Sequence, residues 1–204
     1  MYRSFLSSRR VYTALALSAV ACVLLLLLFP TSYGIYGANG IRDTPLTRLL
    51  PVVLGALAAS TVHPVAPAME ATAPTRLLRI RVLSLGGIML TQFLLLIISM
   101  ATIQAIAGVG LTARDVAMYL SATAFWQGLC CLSAAFSSRM VAWAPPLTVL
   151  LFLLLYPWRD IDHPVEWNIL LTINPFTVTL GGFFLLGGLL ALGTVDTARL
   201  DARR

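Results

Sequence analysis

The stretch VYTALALSAVACVLLLLLF, residues 11–29, decides the class of fold. It contains no charged residue and is followed directly by Pro30. A transmembrane helix needs about 20 predominantly apolar residues, whereas the apolar core of a signal peptide has about 7–15. The sequence AVAC, residues 19–22, loosely resembles a lipoprotein cleavage box, but the apolar run continues through it to Phe29. We therefore interpret residues 11–29 as an uncleaved first membrane span.

The composition of the whole chain indicates that the lipid bilayer is its solvent. Of the 204 residues, 59% are hydrophobic and 11% are charged, and the mean hydropathy is +0.89. Soluble domains carry about 25% charged residues. Six spans of about 20 residues each would use most of the chain. The predicted fold class is therefore all-α: one polytopic transmembrane domain, residues 1–204, without a separate soluble domain.

Apolar segments and their breakers predict six membrane spans. Thr112 and Asp115 have the spacing of a capping box at the start of the fourth span. The pair Asn174-Pro175 divides the last apolar region into a short outer segment at residues 165–173, which could be re-entrant, and a final span. We interpret PTSYGIYGANGIRDTP, residues 30–45, as a loop. The predicted spans are residues 11–29, 47–62, 82–108, 115–138, 140–158 and 175–195.

The distribution of charge predicts the orientation of the spans. Cytoplasmic loops of membrane proteins carry an excess of Lys and Arg. All fourteen basic residues are Arg, which is typical of a GC-rich bacterial genome, and with both termini in the cytoplasm ten of them lie inside and four outside. The sequence therefore predicts cytoplasmic N- and C-termini in a bacterial inner membrane. The four outer arginines are Arg42, Arg48, Arg114 and Arg159.

The predicted spans lack the residues that several classes of membrane protein need for transport or catalysis. No Asp, Glu, Lys or Arg lies deep in a predicted span, which weakens an ion-driven transporter or an intramembrane hydrolase. The chain has no Lys, so it cannot form the GxxxxGK[ST] loop that binds ATP. The three cysteines have no metal or redox spacing. The net charge of +6 is explained by the excess of Arg on the predicted cytoplasmic side and does not indicate that the protein binds nucleic acid.

Two sets of polar residues leave alternatives open. Amides within or at the ends of the spans could line a polar pathway or bond to neighbouring helices; they are Gln92, Gln104, Gln127 and Asn174. The outer stretch DIDHPVE could bind a divalent ion, but we interpret it as an ordinary acidic loop and predict no metal site. Its candidate ligands are Asp160, Asp162, His163 and Glu166. Small residues four apart, such as Gly55 and Ala59 or Gly187 and Ala191, permit close helix packing.

The stretch HPVAPAMEATAPTRLLRIR, residues 63–81, separates the second and third spans on the predicted cytoplasmic side. Pro67 suits the first turn of a short helix, where Glu70 is favoured by the helix dipole. From residue 75 a helix can continue without interruption to Gly108, which makes about 50 Å against a hydrocarbon core of about 30 Å. The third helix should therefore project into the cytoplasm, with Arg76 and Arg79 on one face. The alternative is a plain basic loop that binds anionic headgroups.

These features together resemble the permease subunits of type-2 ABC exporters. The resemblance rests on six spans, on the amphipathic N-terminal MYRSFLSSRR, which is similar to the family's elbow helix, on AMEATAPTRLLRIR between spans two and three, and on INPF before the last span. It covers nearly the whole chain as a pattern. It implies that residues 63–81 form a coupling segment that docks on a separate ATPase. The contact residues carried over are Pro67, Met69, Glu70, Arg76 and Arg79.

The resemblance also implies the partners and cofactors. Two ATPase copies would hold ATP and Mg²⁺, none of it bound by this chain. A second permease chain, identical or related, would complete the translocation path within membrane lipid. Three other functions stay open: a non-transporting polytopic membrane subunit, a lipid-processing enzyme that uses the outer acidic loop, and the substrate-binding component of a vitamin importer.

Overall fold

The computed structural model describes residues 10–28, 32–37, 40–62, 76–107, 112–137, 141–156 and 165–194, with the backbone alone at 32–37, 40–45, 76–81 and 107. Within these ranges a helix lies in each of the six predicted apolar segments. They are α1 (Val11–Leu28), α2 (Leu50–Ala59), α3 (Arg76–Ala107), α4 (Ala113–Phe136), α5 (Ala144–Leu155) and α6 (Pro175–Thr194).

Four of these helices, α1, α3, α4 and α6, are long and apolar enough to cross a membrane. Large apolar side chains cover the outer faces of α1, α3 and α6, including Leu27, Leu90 and Phe183. Such surfaces belong in lipid, because soluble proteins rarely expose large contiguous apolar patches. The prediction of a helical membrane protein is confirmed at this level.

The other two helices are shorter than the predicted spans. Helix α2 has 10 residues after a 3-10 turn at Leu46–Leu49, and α5 has 12. At 1.5 Å per residue α5 extends about 18 Å, less than the hydrocarbon thickness of about 30 Å. Prolines account for the starts, because Pro51 and the Pro145-Pro146 pair occupy first-turn positions where no backbone N–H is needed.

A β-hairpin occupies most of the segment that we expected to be a loop. Strand β1 (Ser32–Gly37) pairs antiparallel with β2 (Gly40–Pro45), and Gly37 lies opposite Gly40. Two residues, Ala38 and Asn39, separate the strands in sequence. Asn39-Gly40 is a dipeptide typical of turns, but the register leaves Ala38 and Asn39 between the strands and places Gly40 in β2. The all-α prediction is therefore modified by one small sheet.

Helix α4 is the centre of the bundle. Of its membrane-length window 72% is buried, against 28–33% for α1, α3 and α6. It packs on α6 and α2 at distances that only small side chains allow. A methyl group on Gly128 would overlap the backbone of Phe184, and one on Gly55 would lie 2.7 Å from the carbonyl carbon of Trp126. Gly55 and Gly128 therefore serve contacts inside this chain, whereas a methyl group on Gly187 would meet no atom within 4 Å.

The start of α4 has the predicted cap. Thr112 Oγ1 accepts a hydrogen bond from the backbone N–H of Asp115, and the Asp115 carboxylate accepts one from the backbone N–H of Thr112. This reciprocal pair satisfies two N–H groups that the helix itself leaves unbonded. The capping box read from the sequence is confirmed.

Candidate functional site

The predicted coupling segment lies mostly outside the described residues. This applies to Pro67, Met69 and Glu70, whereas Arg76 and Arg79 stand in the first turns of α3, where only the backbone is described. Helix α3 runs without a break from Arg76 to Ala107, as the sequence predicted. Its 32 residues make about 48 Å, which exceeds the hydrocarbon thickness by more than half.

Two of the four predicted pathway amides meet inside the bundle. Gln92 on α3 and Gln127 on α4 are both fully buried, and Gln127 Nε2 donates to Gln92 Oε1 at 2.7 Å. Gln92 Nε2 donates in turn to Ser18 Oγ at 2.8 Å and to the carbonyl oxygen of Leu54 at 3.2 Å. One amide on α3 therefore bonds to α1, α2 and α4.

The buried polar cluster of Ser18, Gln92 and Gln127 is not fully satisfied. The Ser18 hydroxyl itself donates a hydrogen bond to the Ala14 carbonyl oxygen at 2.7 Å. Gln127 Oε1 and, on the neighbouring residue, Trp126 Nε1 are buried without a hydrogen-bond partner. An unpaired buried polar atom costs about 1–3 kcal/mol. The α4 side of the cluster is therefore its less stable side.

The other two amides lie elsewhere. Gln104 is exposed near the end of α3. Asn174 caps α6: its Oδ1 accepts from the Thr177 backbone N–H at 2.9 Å, and its Nδ2 donates to the Glu166 carbonyl oxygen at 2.7 Å. The structure thus brings Gln92 and Gln127 together and leaves Gln104 and Asn174 apart from them.

The segment at 165–173 is made of turns and is tied to the bundle. Asn168 is fully buried, and its Nδ2 donates to the Leu153 carbonyl oxygen of α5 at 3.0 Å. Ile169 and Leu170 are buried beside it. Most of the acidic loop that precedes it, Asp160, Asp162 and His163, lies outside the described residues. Glu166 is described and exposed.

Arg48 joins three elements at the end of the bundle where α2 and α4 begin. Its guanidinium donates to Met118 Sδ and to the Leu170 carbonyl oxygen, and it lies 5.4 Å from the centre of the Tyr119 ring. Thr47 Oγ1 and the Tyr119 hydroxyl are hydrogen-bonded at 2.7 Å. This arginine therefore stabilises helix packing.

Sequence reasoning missed Ser18 and Arg48 as bonding partners. The only signal for Ser18 was a small hydroxyl side chain in the middle of an apolar helix. Among the residues that the structure describes, no three His, Cys, Asp or Glu side chains are close enough to hold a metal ion. Comparisons with known protein families, with curated proteins and with solved structures find no match to this chain. Any function must therefore be argued from the residues themselves.

Proposed function

We propose that this chain is the membrane-spanning permease subunit of a bacterial ATP-driven exporter, with both termini and residues 63–81 in the cytoplasm. In this proposal a separate ATPase, present in two copies, holds ATP and Mg²⁺. A second permease chain, identical or related, completes the path. The chain itself is not an enzyme.

The observation that carries the proposal is the continuity of α3 between two regions. Its first turns, from Arg76, form the last part of the proposed coupling segment, residues 63–81. Gln92 lies sixteen residues further along the same helix, about 24 Å away. Because Gln92 bonds to Ser18, Leu54 and Gln127, a displacement of the base of α3 would reach α1, α2 and α4 through one rigid element.

The positions of the helix ends support the predicted topology, in which successive helices cross the membrane in opposite directions. Arg10 before α1, Ser60 after α2 and Trp143 before α5 all line one groove. Arg48 before α2, Met118 in the first turns of α4 and Leu170 meet at another site. Each group contains only ends that the predicted topology assigns to the same side of the membrane.

The proposed coupling mechanism depends on the charged residues near the base of α3 and on the stiffness of this helix. Glu70 and the arginines at 76 and 79 would form ion pairs and hydrogen bonds with the ATPase. Closure of the two ATPases on ATP would then tilt α3. The buried Gln92–Gln127 pair, with an unpaired oxygen on its α4 side, is the contact that we expect to rearrange during the tilt.

Purification of the tagged full-length chain from its native membranes, without detergent exchange, tests the proposal. We expect an accompanying protein that contains GxxxxGK[ST] and hydrolyses ATP, in a one-to-one ratio with permease chains. A chain that purifies alone, with an activity that depends on Asp160 or His163, would instead support the lipid-processing alternative.

A further inference from the structure

A lateral groove of about 410 Å³ lies where α2, α4 and α5 meet. Its floor consists of the buried side chains of Cys130, Ala134 and Pro146. Val52 and Leu150 extend the apolar wall. Pockets for small ligands occupy about 300–1,000 Å³ and are mostly apolar with a few polar groups. The groove has the size and the lining of a binding site.

Small side chains create this groove. Ala56 and Ala59 on α2 line it together with Ala134 on α4. Only two residues of α5, Pro146 and Leu153, are buried, so this helix stands away from the rest of the bundle. Protein interiors are otherwise close-packed, with few voids larger than a water molecule. Because this gap is open to the surface and is not an enclosed void, it can admit an occupant from outside the chain.

The mouth of the groove carries polar groups, whereas its walls are apolar. Arg10, Ser60 and Trp143 line it, and all three are exposed. No acidic side chain lines the groove among the residues that the structure describes. The backbone of Arg10 has a φ of 57°, in the left-handed region that few non-glycine residues occupy. Such conformations cluster at ligand-binding positions.

We propose that this groove binds one anionic phospholipid from the surrounding membrane, with an acyl chain along the wall and the phosphate on Arg10. The charge at the mouth matches a phosphate, which the planar guanidinium binds through paired N–H groups. Trp143 suits the boundary between headgroup and acyl chain. The exposed rim residues Ala56 and Leu147 open the groove sideways, toward the lipid-facing surface.

The chemistry argues against other occupants. A polar soluble ligand would not match walls formed by Val52, Leu150 and Ala134. A zwitterionic lipid would bring its own cation to Arg10, which weakens the attraction. A second copy of this chain would have to insert an apolar side chain and place an acid beside Arg10.

Lipid titration of the purified full-length chain in a neutral detergent, read by native mass spectrometry, tests this proposal. Phosphatidylglycerol and phosphatidylcholine with identical acyl chains are the probes. We expect one saturable molecule, with phosphatidylglycerol bound about five-fold more tightly, since one Arg near an anionic lipid contributes about 1 kcal/mol. Arg10→Gln should reduce the phosphatidylglycerol affinity to that of phosphatidylcholine. Ala56→Trp, which fills the groove from an exposed position, should weaken both lipids at least ten-fold.

Two matched controls keep the result specific to the groove. Arg114→Gln removes an exposed arginine at the start of α4, and Ala101→Trp adds bulk at an exposed position of α3; both should bind lipid like the unmodified chain. Thermal melting of every variant shows whether it is folded. The proposal is wrong if the two lipids bind equally, if Arg114→Gln has the effect of Arg10→Gln, or if Ala56→Trp changes the oligomeric state without changing lipid binding.

Discussion

Gln127 Nε2 donates a hydrogen bond to Gln92 Oε1 at 2.7 Å, and both side chains are fully buried. This pair connects the central helix α4 to the long helix α3. Gln92 Nε2 also donates hydrogen bonds to Ser18 Oγ and to the Leu54 carbonyl oxygen. In lipid such a contact has no water to replace it, so its loss changes both stability and helix arrangement.

The Gln92–Gln127 pair predicts an asymmetric double-mutant cycle. Gln92→Leu removes three hydrogen bonds, and at about 0.6 kcal/mol for each in a membrane it should destabilise the chain by about 2 kcal/mol. Gln127→Leu removes the one bond named above and an oxygen that is already unpaired, so its effect should be smaller. The double variant should be more stable than the sum predicts, because no unpaired amide is left. Unfolding in mixed micelles measures these differences.

Gln104→Leu is the matched control for this cycle, because Gln104 is an exposed glutamine on the same helix. It should leave the unfolding midpoint unchanged. Equal destabilisation by Gln104→Leu and Gln92→Leu would show that the hydrogen bonds of the buried cluster do not determine stability.

The contact between α4 and α6 predicts opposite effects for two glycines. Gly128→Ala places a methyl group against the backbone of Phe184 and should cost about 3 kcal/mol. Gly187→Ala meets no atom within 4 Å and should be neutral or stabilise by up to about 1 kcal/mol through helix propensity. Thermal melting in detergent compares them. A neutral Gly128→Ala would mean that these two helices are further apart.

Asn174 predicts a difference between two substitutions. Asn174→Ala removes the cap of α6 and the bond to Glu166, and should cost about 1–2 kcal/mol. Asn174→Asp keeps an oxygen for the Thr177 N–H and should retain most of the stability. If transport falls equally in both variants while stability is retained, Asn174 lines the pathway, as the sequence also allowed.

The coupling proposal predicts the effect of charge reversal at the base of α3. Glu70→Arg combined with Arg76→Glu should abolish the permease-dependent stimulation of ATP hydrolysis and leave membrane insertion intact. Arg114→Glu, at the other end of the bundle, is the control and should keep the stimulation. The assay is ATP hydrolysis by the reconstituted complex in liposomes. If the double variant retained the stimulation of ATP hydrolysis, residues 63–81 would not be the coupling segment.

Most of the helical architecture could be predicted from the sequence, because lipid forces long apolar runs to satisfy their own backbone hydrogen bonds. The continuous α3 followed from the absence of Pro between Arg76 and Ala107. The capping box at Thr112 and Asp115 is a local pattern and was read directly. Element ends were less accurate, since Pro51 and Pro145 shorten α2 and α5.

The hairpin at residues 32–45 differs from the predicted loop, because the Gly and Tyr residues of this stretch lie in paired strands as readily as in a loop. The dipeptide Asn39-Gly40 was the available signal of a turn, although the strands pair with Ala38 and Asn39 between them in sequence. The partners of Gln92 could not be read from the sequence, because they depend on how each helix is rotated about its axis. The groove at Arg10 could not be predicted for the same reason: Arg10, Ala56 and Ala134 are far apart in sequence and line one groove only in the folded chain.

The most direct test of the central claim is site-specific photo-cross-linking in native membranes. A photoreactive amino acid at position 70 should form one adduct with an ATP-hydrolysing protein, and the adduct should diminish when ATP is depleted. The same group at the exposed position 112, at the opposite end of α4 from the groove, should give no such adduct. Adducts from position 70 with lipid alone, or equal capture of the ATPase from both positions, would contradict the proposal that this chain is an exporter permease coupled through residues 63–81.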